Sequence, residues 1–346
     1  MKLLTVGTNI IHLKNFHNLI SNSEIDVLFI TDQISEKFNY DNIRTVPFSI
    51  RNPFNIPKSV KLIRRIIKEF KPDLIHIHQA SSHAFLTLSA AKSFNIPCIV
   101  TAWGSDVLLV PEMGFLYKKM VKFILRNAGF YTSDSLFLAD QMRKLVPDRS
   151  LDITLVNYGI DDLSGSHQKE NIFYSNRLHK KLYRIDKIII AFAKYLMIHK
   201  NENWRLVIAG EGPETSYLKQ LAINLKISYV VVFTGWLDNN SNQDFYKRSR
   251  FFVSIPESDA TSISLLEAMS AGCIPIVSKL PANEEWIHDG ENGVITNELD
   301  ENFLLKGLAI DQDKANSLNK KIITENALKN INRKKFMALY EKAMIR

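Results

Sequence analysis

Along most of this chain, short apolar runs rich in β-branched and aromatic residues alternate with stretches of helical periodicity. KLLTVGT (2–8), DVLFITD (26–32), DLIHIHQ (73–79), CIVTAWG (98–104) and ITLVNYG (153–159) read as strands, and helices are predicted near 58–70, 83–94, 115–127 and 136–145. The alternation resumes with IFYSNRL (172–178), RLVIAGEG (205–212), VVVFTG (230–235), FFVSIP (251–256) and CIPIVS (273–278). A strand that is apolar on both faces has nowhere to sit in water except under helices on both sides. The pattern therefore predicts an α/β chain with parallel sheets covered on both faces.

The polar stretch DDLSGSHQKEN (161–171) interrupts the series and holds Gly165, so it is read as a linker. It would separate two doubly wound, Rossmann-like domains over 1–163 and 170–325, and 346 residues suffice for two such domains. The last stretch, 301–346, is helical in pattern, and its end, 326–346, is expected as a helix able to cross back to the first domain. Ligands of doubly wound sheets bind beyond the carboxyl ends of the strands, so two such domains facing each other would frame a cleft.

Composition narrows the class. Hydrophobic residues make up 46% and charged residues 23%, as in an ordinary globular protein with a sizeable core. The two cysteines, Cys98 and Cys273, lie in separate apolar runs and read as buried free thiols of a reducing compartment. The N-terminus has no cleavage-site pattern and reads as a first strand. No apolar run reaches the roughly 20 residues that a spanning helix needs. The expected location is the cytoplasm, with a peripheral place on the inner face of the cytoplasmic membrane left open. The net charge of +8 is spread evenly over the two halves, which excludes a basic tail. Residues 51–72 are the exception: seven basic side chains stand against one acid, Glu69.

The stretch most suggestive of chemistry is SDATSISLLEAMSAGCIPIVS (258–278). A strand ends at 256, a polar turn follows, and a helix opens near Ser262. The free amides of Ser262, Ile263 and Ser264 and the positive end of that helix would suit a diphosphate. Side chains lean toward a helix N-terminus, so Glu267 would reach back to grip vicinal hydroxyls such as those of a ribose. Asp259, on the turn, would meet hydroxyls of a second sugar. The same residues also fit a plain capped helix with a solvated Glu267.

ESDATSISLLEAMSAGCIPIVS resembles the acid–seven–acid signature of retaining glycosyltransferases with the GT-B fold, family 4 in particular. PANEEWIHDGENGVI (281–295), LVIAGEGPE (206–214), FTGWL (233–237) and SNRLHKKLYRID (175–186) follow the family order across nearly all of the second domain. The resemblance implies that Glu267 binds the donor ribose and that Asp259 takes the first acid position, usually a glutamate. It implies that Arg177 meets the donor diphosphate. Gly210 and Gly212 form the glycine turn, and Gly235 and Trp236 contact the base. The family lysine falls on Tyr183 here, which leaves Lys180 or Lys181 to replace it. No metal or other cofactor is implied.

Three stretches end strands of the first domain. Gly7, followed by His12, matches the family's first-strand glycine turn, although an ordinary tight turn fits Gly7 as well. His76 and His78 share one face of a strand; a metal would need a third ligand, with His83 the remaining candidate, and a hydrogen-bonded pair without metal is the reading taken. His78, nearer the strand end, is the cleft candidate. TAWGSDVLL (101–109) resembles the family's Thr-x-His-Gly-x-Asp segment with Trp103 in the histidine's place, where it would stack on a sugar rather than act as base. Asp106 would contact acceptor or orient the loop. The stretch 107–126 and the helix near 58–70 combine apolar and basic residues in a way that suits a membrane interface.

The expected function is retaining transfer of a sugar from a nucleotide-diphosphate donor, UDP- or GDP-linked, to an acceptor hydroxyl. A closing cleft and leaving-group stabilisation by Arg177 are part of that expectation. The expected acceptor is a lipid-linked saccharide in surface polysaccharide (O-antigen or capsule) synthesis, with contact to anionic membrane and none to nucleic acid. A nucleotide-sugar epimerase of the same fold, an inactive partner subunit and a two-domain solute-binding protein are the rivals.

Overall fold

The computed structural model describes residues 1–21, 24–34, 42–199, 203–297 and 302–345. The chain forms two compact units: Met1–Gly159 together with the segment from Lys329 onward, and Ile160–Leu328.

The first unit holds β1 (Lys2–Val6), β2 (Asp26–Thr31), β3 (Ile43–Thr45), β4 (Leu74–His78), β5 (Cys98–Thr101), β6 (Phe130–Ser133) and β7 (Ile153–Leu155). They form one sheet in the order β3-β2-β1-β4-β5-β6-β7, with every pairing parallel. Helices α1 (Ile11–Ile20), α2 (Asn55–Phe70), α3 (Ser82–Ala91), α4 (Ser105–Leu108), α5 (Phe115–Asn127) and α6 (Leu136–Leu145) connect them. All five residues of β4 are buried, which is why that strand reads as apolar on both faces apart from its two histidines.

The second unit holds β8 (Glu170–Ser175), β9 (Arg205–Ala209), β10 (Val231–Gly235), β11 (Ser249–Ser254), β12 (Ile274–Ser278) and β13 (Val294–Thr296), in the order β10-β9-β8-β11-β12-β13 and again all parallel. Its helices are α7 (Ile185–Ile198), α8 (Thr215–Asn224), α9 (Asn239–Arg248), α10 (Ile263–Ser270), α11 (Pro281–Glu284), α12 (Phe303–Leu308) and α13 (Gln312–Asn326).

The last helix, α14 (Lys329–Ile345), belongs to the first unit. Phe336, Leu339, Tyr340 and Ala343 are buried against Leu3, Phe16, Leu74, Ile99 and Phe130. Three polar ties fix it: Tyr340 Oη with His76 Nδ1 at 2.7 Å, Asn157 N donating to Asn332 Oδ1 at 3.1 Å, and Lys342 Nζ donating to Asp152 Oδ1 at 2.7 Å.

Three strands escape the sequence pattern. β3 and β13 have three residues each, too few for a period, and β6 is the polar-ended FYTS. The run 153–159 stops being a strand at Leu155. Asn157 Oδ1 accepts from Gly159 N at 2.8 Å, and Gly159 has φ +69°, so the chain turns there.

Candidate active site

In the second sheet the strand order reverses between β8 and β11, where a doubly wound sheet opens a crevice. Arg177 lies two residues past β8 and Asp259 five past β11. Arg177 Nη2 donates to Asp259 Oδ2 at 2.5 Å, and Nη1 donates to Ser262 Oγ at 2.6 Å. The side chains of Arg177 and Asp259 are only 11% and 23% exposed, so this charge-assisted pair is largely shielded from water. The Tyr183 ring lies 4.5 Å from the Arg177 guanidinium carbon and supports it by cation–π contact.

Ser262 is the N-cap residue of α10. A cap serine ordinarily turns its hydroxyl onto the helix amides. This one accepts from Arg177, and α10 has no side-chain cap. The amides of Ile263 and Ser264 thus begin the helix beside a guanidinium, and the helix dipole and Arg177 add at one point. Glu267, half-buried, lies one turn further along. Burial raises the pKa of the Tyr174 and Tyr246 phenols, and the Glu267 charge raises both further, so its carboxylate lies close to them. Tyr174 Oη donates to Asn242 Oδ1 at 2.5 Å, and Asn176 Nδ2 donates to Tyr246 Oη at 2.7 Å.

The turn after β9 packs on the backbone that carries Arg177. Gly210 has φ +101°, and a Cβ there would stand 2.8 Å from the Arg177 carbonyl oxygen; one on Gly212 would stand 2.5 Å from that of His179. Only glycine permits this approach. Gly210 N donates to Gly235 O at 2.8 Å, which ties the β9 and β10 turns together, and Trp236 next to it is 73% exposed. Lys181 is exposed and, with Lys180, Glu214 and Tyr217, lines a cavity of about 510 Å³ that does not include Arg177. Arg184 is spent on backbone, donating to Ile255 O at 2.8 Å and Pro256 O at 2.7 Å.

In the first sheet the order reverses between β1 and β4. Gly7 ends β1, and a Cβ on it would meet His78 Cβ at 3.2 Å. His78 Nδ1 lies 3.3 Å from Tyr158 Oη, and the His12 and Trp103 rings make an edge contact at 5.4 Å. Asn9 is buried, and neither atom of its amide has a hydrogen-bond partner among the described residues. Asp106 is also buried: Oδ2 accepts from Ala80 N at 2.6 Å and Oδ1 from Trp103 N at 3.0 Å. Burial raises its pKa and these amides oppose the rise. Asp106 therefore orients the Trp103 loop.

His76 bonds Tyr340 Oη and Thr101 Oγ1, the latter at 2.6 Å. Burial holds its pKa down at about 3 and that of His78 well below the usual value, so both rings are neutral. His83 lies elsewhere, with Ser81 Oγ 3.2 Å from its Nδ1 and the Phe48 ring 4.3 Å away. Among the described residues no three His, Cys, Asp or Glu side chains gather as a metal site. Tyr158 and Asn176 lie in runs read as strand, ITLVNYG and IFYSNRL, and neither they nor Asn9 stood out there, because a strand pattern does not mark which polar residue at its end faces a site.

Residues 161–324 match the family model described as glycosyl transferases group 1, and residues 2–135 match glycosyl transferase 4-like. N-acetyl-alpha-D-glucosaminyl L-malate synthase of Bacillus anthracis is 24% identical over 78% of this chain and 75% of its own. Alpha-monoglucosyldiacylglycerol synthase of Streptococcus pneumoniae is 25% identical over 66% of this chain and 57% of its own length, less than two thirds of that relative. The solved structure of Anabaena Alr3699/HepE in complex with UDP and glucose superposes with a TM-score of 0.77 at 13% identity, covering 99% of this chain and 100% of the other. With one glycosyltransferase model on each unit and the fold shared, the chain belongs to the GT-B glycosyltransferases of the family 4 type.

Proposed function

We propose that the second unit binds a nucleotide-diphosphate sugar and that the protein transfers its sugar, with retention, to an acceptor hydroxyl held by the first unit. The observation that carries this is the meeting of Arg177, Asp259 and Ser262 at the mouth of α10, with Glu267 one turn inside. The diphosphate would lie on the Ile263 and Ser264 amides and Arg177, which would hold the negative charge released as the C1–O bond breaks. Glu267 would accept the ribose hydroxyls, Gly235 and Trp236 would face the base, and Asp259 would contact the transferred sugar. Trp103, His78, His12 and Gly7 would form the acceptor side. No protein nucleophile is invoked: the acceptor oxygen itself attacks C1 on the face the diphosphate leaves, and its proton passes to a leaving phosphate oxygen. Arg177 and the helix amides carry the charge in this reading, so it asks for no metal. UDP is the favoured nucleotide, because the Anabaena neighbour was solved with UDP and glucose.

For the acceptor we propose a lipid-linked saccharide of a surface glycolipid or polysaccharide, reached at an anionic membrane surface. The Streptococcus relative is named for a glucosyldiacylglycerol product, and the first unit carries the basic and apolar stretches described below. No described helix is long and apolar enough to cross a membrane. The test is incubation with UDP-glucose, UDP-galactose or UDP-N-acetylglucosamine and a glycolipid acceptor, with product anomers read by proton NMR. The expected result is an α-linked product from an α-linked donor. A β-linked product would overturn retention, and an isomerised nucleotide sugar formed without acceptor would favour the epimerase.

A further inference from the structure

Helix α5 carries two parallel rows. Leu116, Met120, Phe123 and Asn127 repeat at helical spacing and form one wall of a groove of about 730 Å³, which Ile56 at the start of α2 and Phe85 on α3 close from the other side. The Phe85 and Phe123 rings meet at 5.2 Å. Beside the apolar row runs a basic one, Lys118, Lys119, Lys122 and Arg126, also lining the groove. Arg126 is engaged by Asp148 at 2.8 and 3.0 Å, and Lys119 Nζ sits 4.4 Å over the Phe115 ring.

The rim is apolar and stands in water. Phe115 is 70% exposed, Leu116 78% and Met113 66%, and Phe54 at the α2 end is 85% exposed. Surface apolar residues are ordinary singly; a cluster of them beside a row of four basic side chains is not. The exposed face of α2 adds Lys58, Lys61, Arg64, Arg65 and Lys68, while its Ile63, Ile66 and Ile67 are buried in the core. Two copies of this basic row and of the basic α2 face would repel each other, which disfavours self-association through this face.

We propose that this groove is a membrane-docking site, in which Phe115, Leu116 and Met113 enter the acyl layer of an anionic bilayer and one lipid chain lies along the Leu116–Met120–Phe123 row, with Lys118, Lys119 and Lys122 on the headgroup phosphates. Apolar insertion and headgroup attraction are two distinct contributions, and stable peripheral binding usually needs both. The inference deepens the lipid-linked-acceptor reading by locating the contact, but it stands on the groove alone and does not require that the acceptor itself be the lipid bound there.

The test is co-sedimentation of the purified protein with vesicles of phosphatidylcholine, with and without phosphatidylglycerol, at low and high salt. Wild type is expected to pellet with the anionic vesicles and to be released by salt. F115S/L116S, altered at two exposed positions, is expected to lower the bound fraction about tenfold on anionic vesicles. K118E/K119E/K122E is expected to lose the dependence on phosphatidylglycerol. Both variants should keep the wild-type thermal response to a nucleotide sugar, which separates this proposal from the donor reading. Absence of wild-type binding, equal binding by F115S/L116S, or a dimer in light scattering that F115S/L116S dissolves would each overturn it.

Discussion

Arg177 and Asp259 leave adjacent strands of the second sheet and meet at 2.5 Å, while the other arm of the guanidinium holds Ser262 at 2.6 Å. One planar side chain thus joins the β8 loop, the β11 loop and the start of α10. The strand order brings the loops together, and the serine gives up its capping role to complete the fork. The guanidinium is held in one orientation by these two contacts and by the Tyr183 ring.

Arg177→Lys tests that preorganisation. A lysine keeps the charge but cannot hold Asp259 and Ser262 with two arms of one rigid plane, nor stack in the same way on Tyr183. Steady-state assays are expected to show kcat/KM for the nucleotide sugar falling by at least about tenfold, the equivalent of ~1.4 kcal/mol in the transition state. Unchanged kinetics would remove Arg177 from the donor site.

Gly210→Ala reaches the same residue through the backbone. The new Cβ would stand 2.8 Å from the Arg177 carbonyl at a φ of +101°. Urea denaturation is expected to show a loss of about 1–3 kcal/mol, together with weaker nucleotide-sugar binding. Gly290→Ala is the control: its φ is +79°, yet nothing lies within 4 Å of the added Cβ. It should cost strain only and leave donor binding intact.

The buried histidines of the first unit set an acid limit. His76 and His17 have folded-state pKa values of about 3, and His78 lies well below the usual 6.5, all chiefly through burial. Below pH 6.5 the unfolded chain takes up protons that the folded unit refuses. Stability is therefore full above about 6.5 and falls as pH drops from there toward 3, by up to ~1.4 kcal/mol per pH unit for each such histidine. Urea midpoints measured from pH 7.5 to 4.5 should fall steadily, and His76→Gln should flatten the slope. A midpoint that stays level over that range would contradict the burial account.

The two parallel sheets were legible because doubly buried strands leave a continuous apolar imprint, interrupted at regular intervals by helices. The edge strands β3 and β13 leave none in three residues. Around the proposed donor site, Asp259 and Glu267 were visible as a spacing and Arg177 through family resemblance. Tyr183 stood at the position expected of a lysine, but that its ring would lie under Arg177 depends on the short turn between them. Arg184 lies within SNRLHKKLYRID (175–186), and only the fold shows it donating to the Ile255 and Pro256 carbonyls. Tyr158 lay inside a run that reads as strand, and the turn at Asn157–Gly159 brings its hydroxyl within 3.3 Å of His78.

The most direct test of the proposed donor site is the thermal midpoint of wild type and Glu267→Ala, each with and without saturating UDP-, GDP- or ADP-sugars. A ligand at about 100 times its Kd adds ~2.7 kcal/mol to the folded state, so at least one nucleotide sugar should raise the wild-type midpoint by several degrees, and Glu267→Ala should lose that rise. If no nucleotide sugar shifts the wild type, or if Glu267→Ala responds as fully as wild type, the assignment of the donor to the mouth of α10 is contradicted.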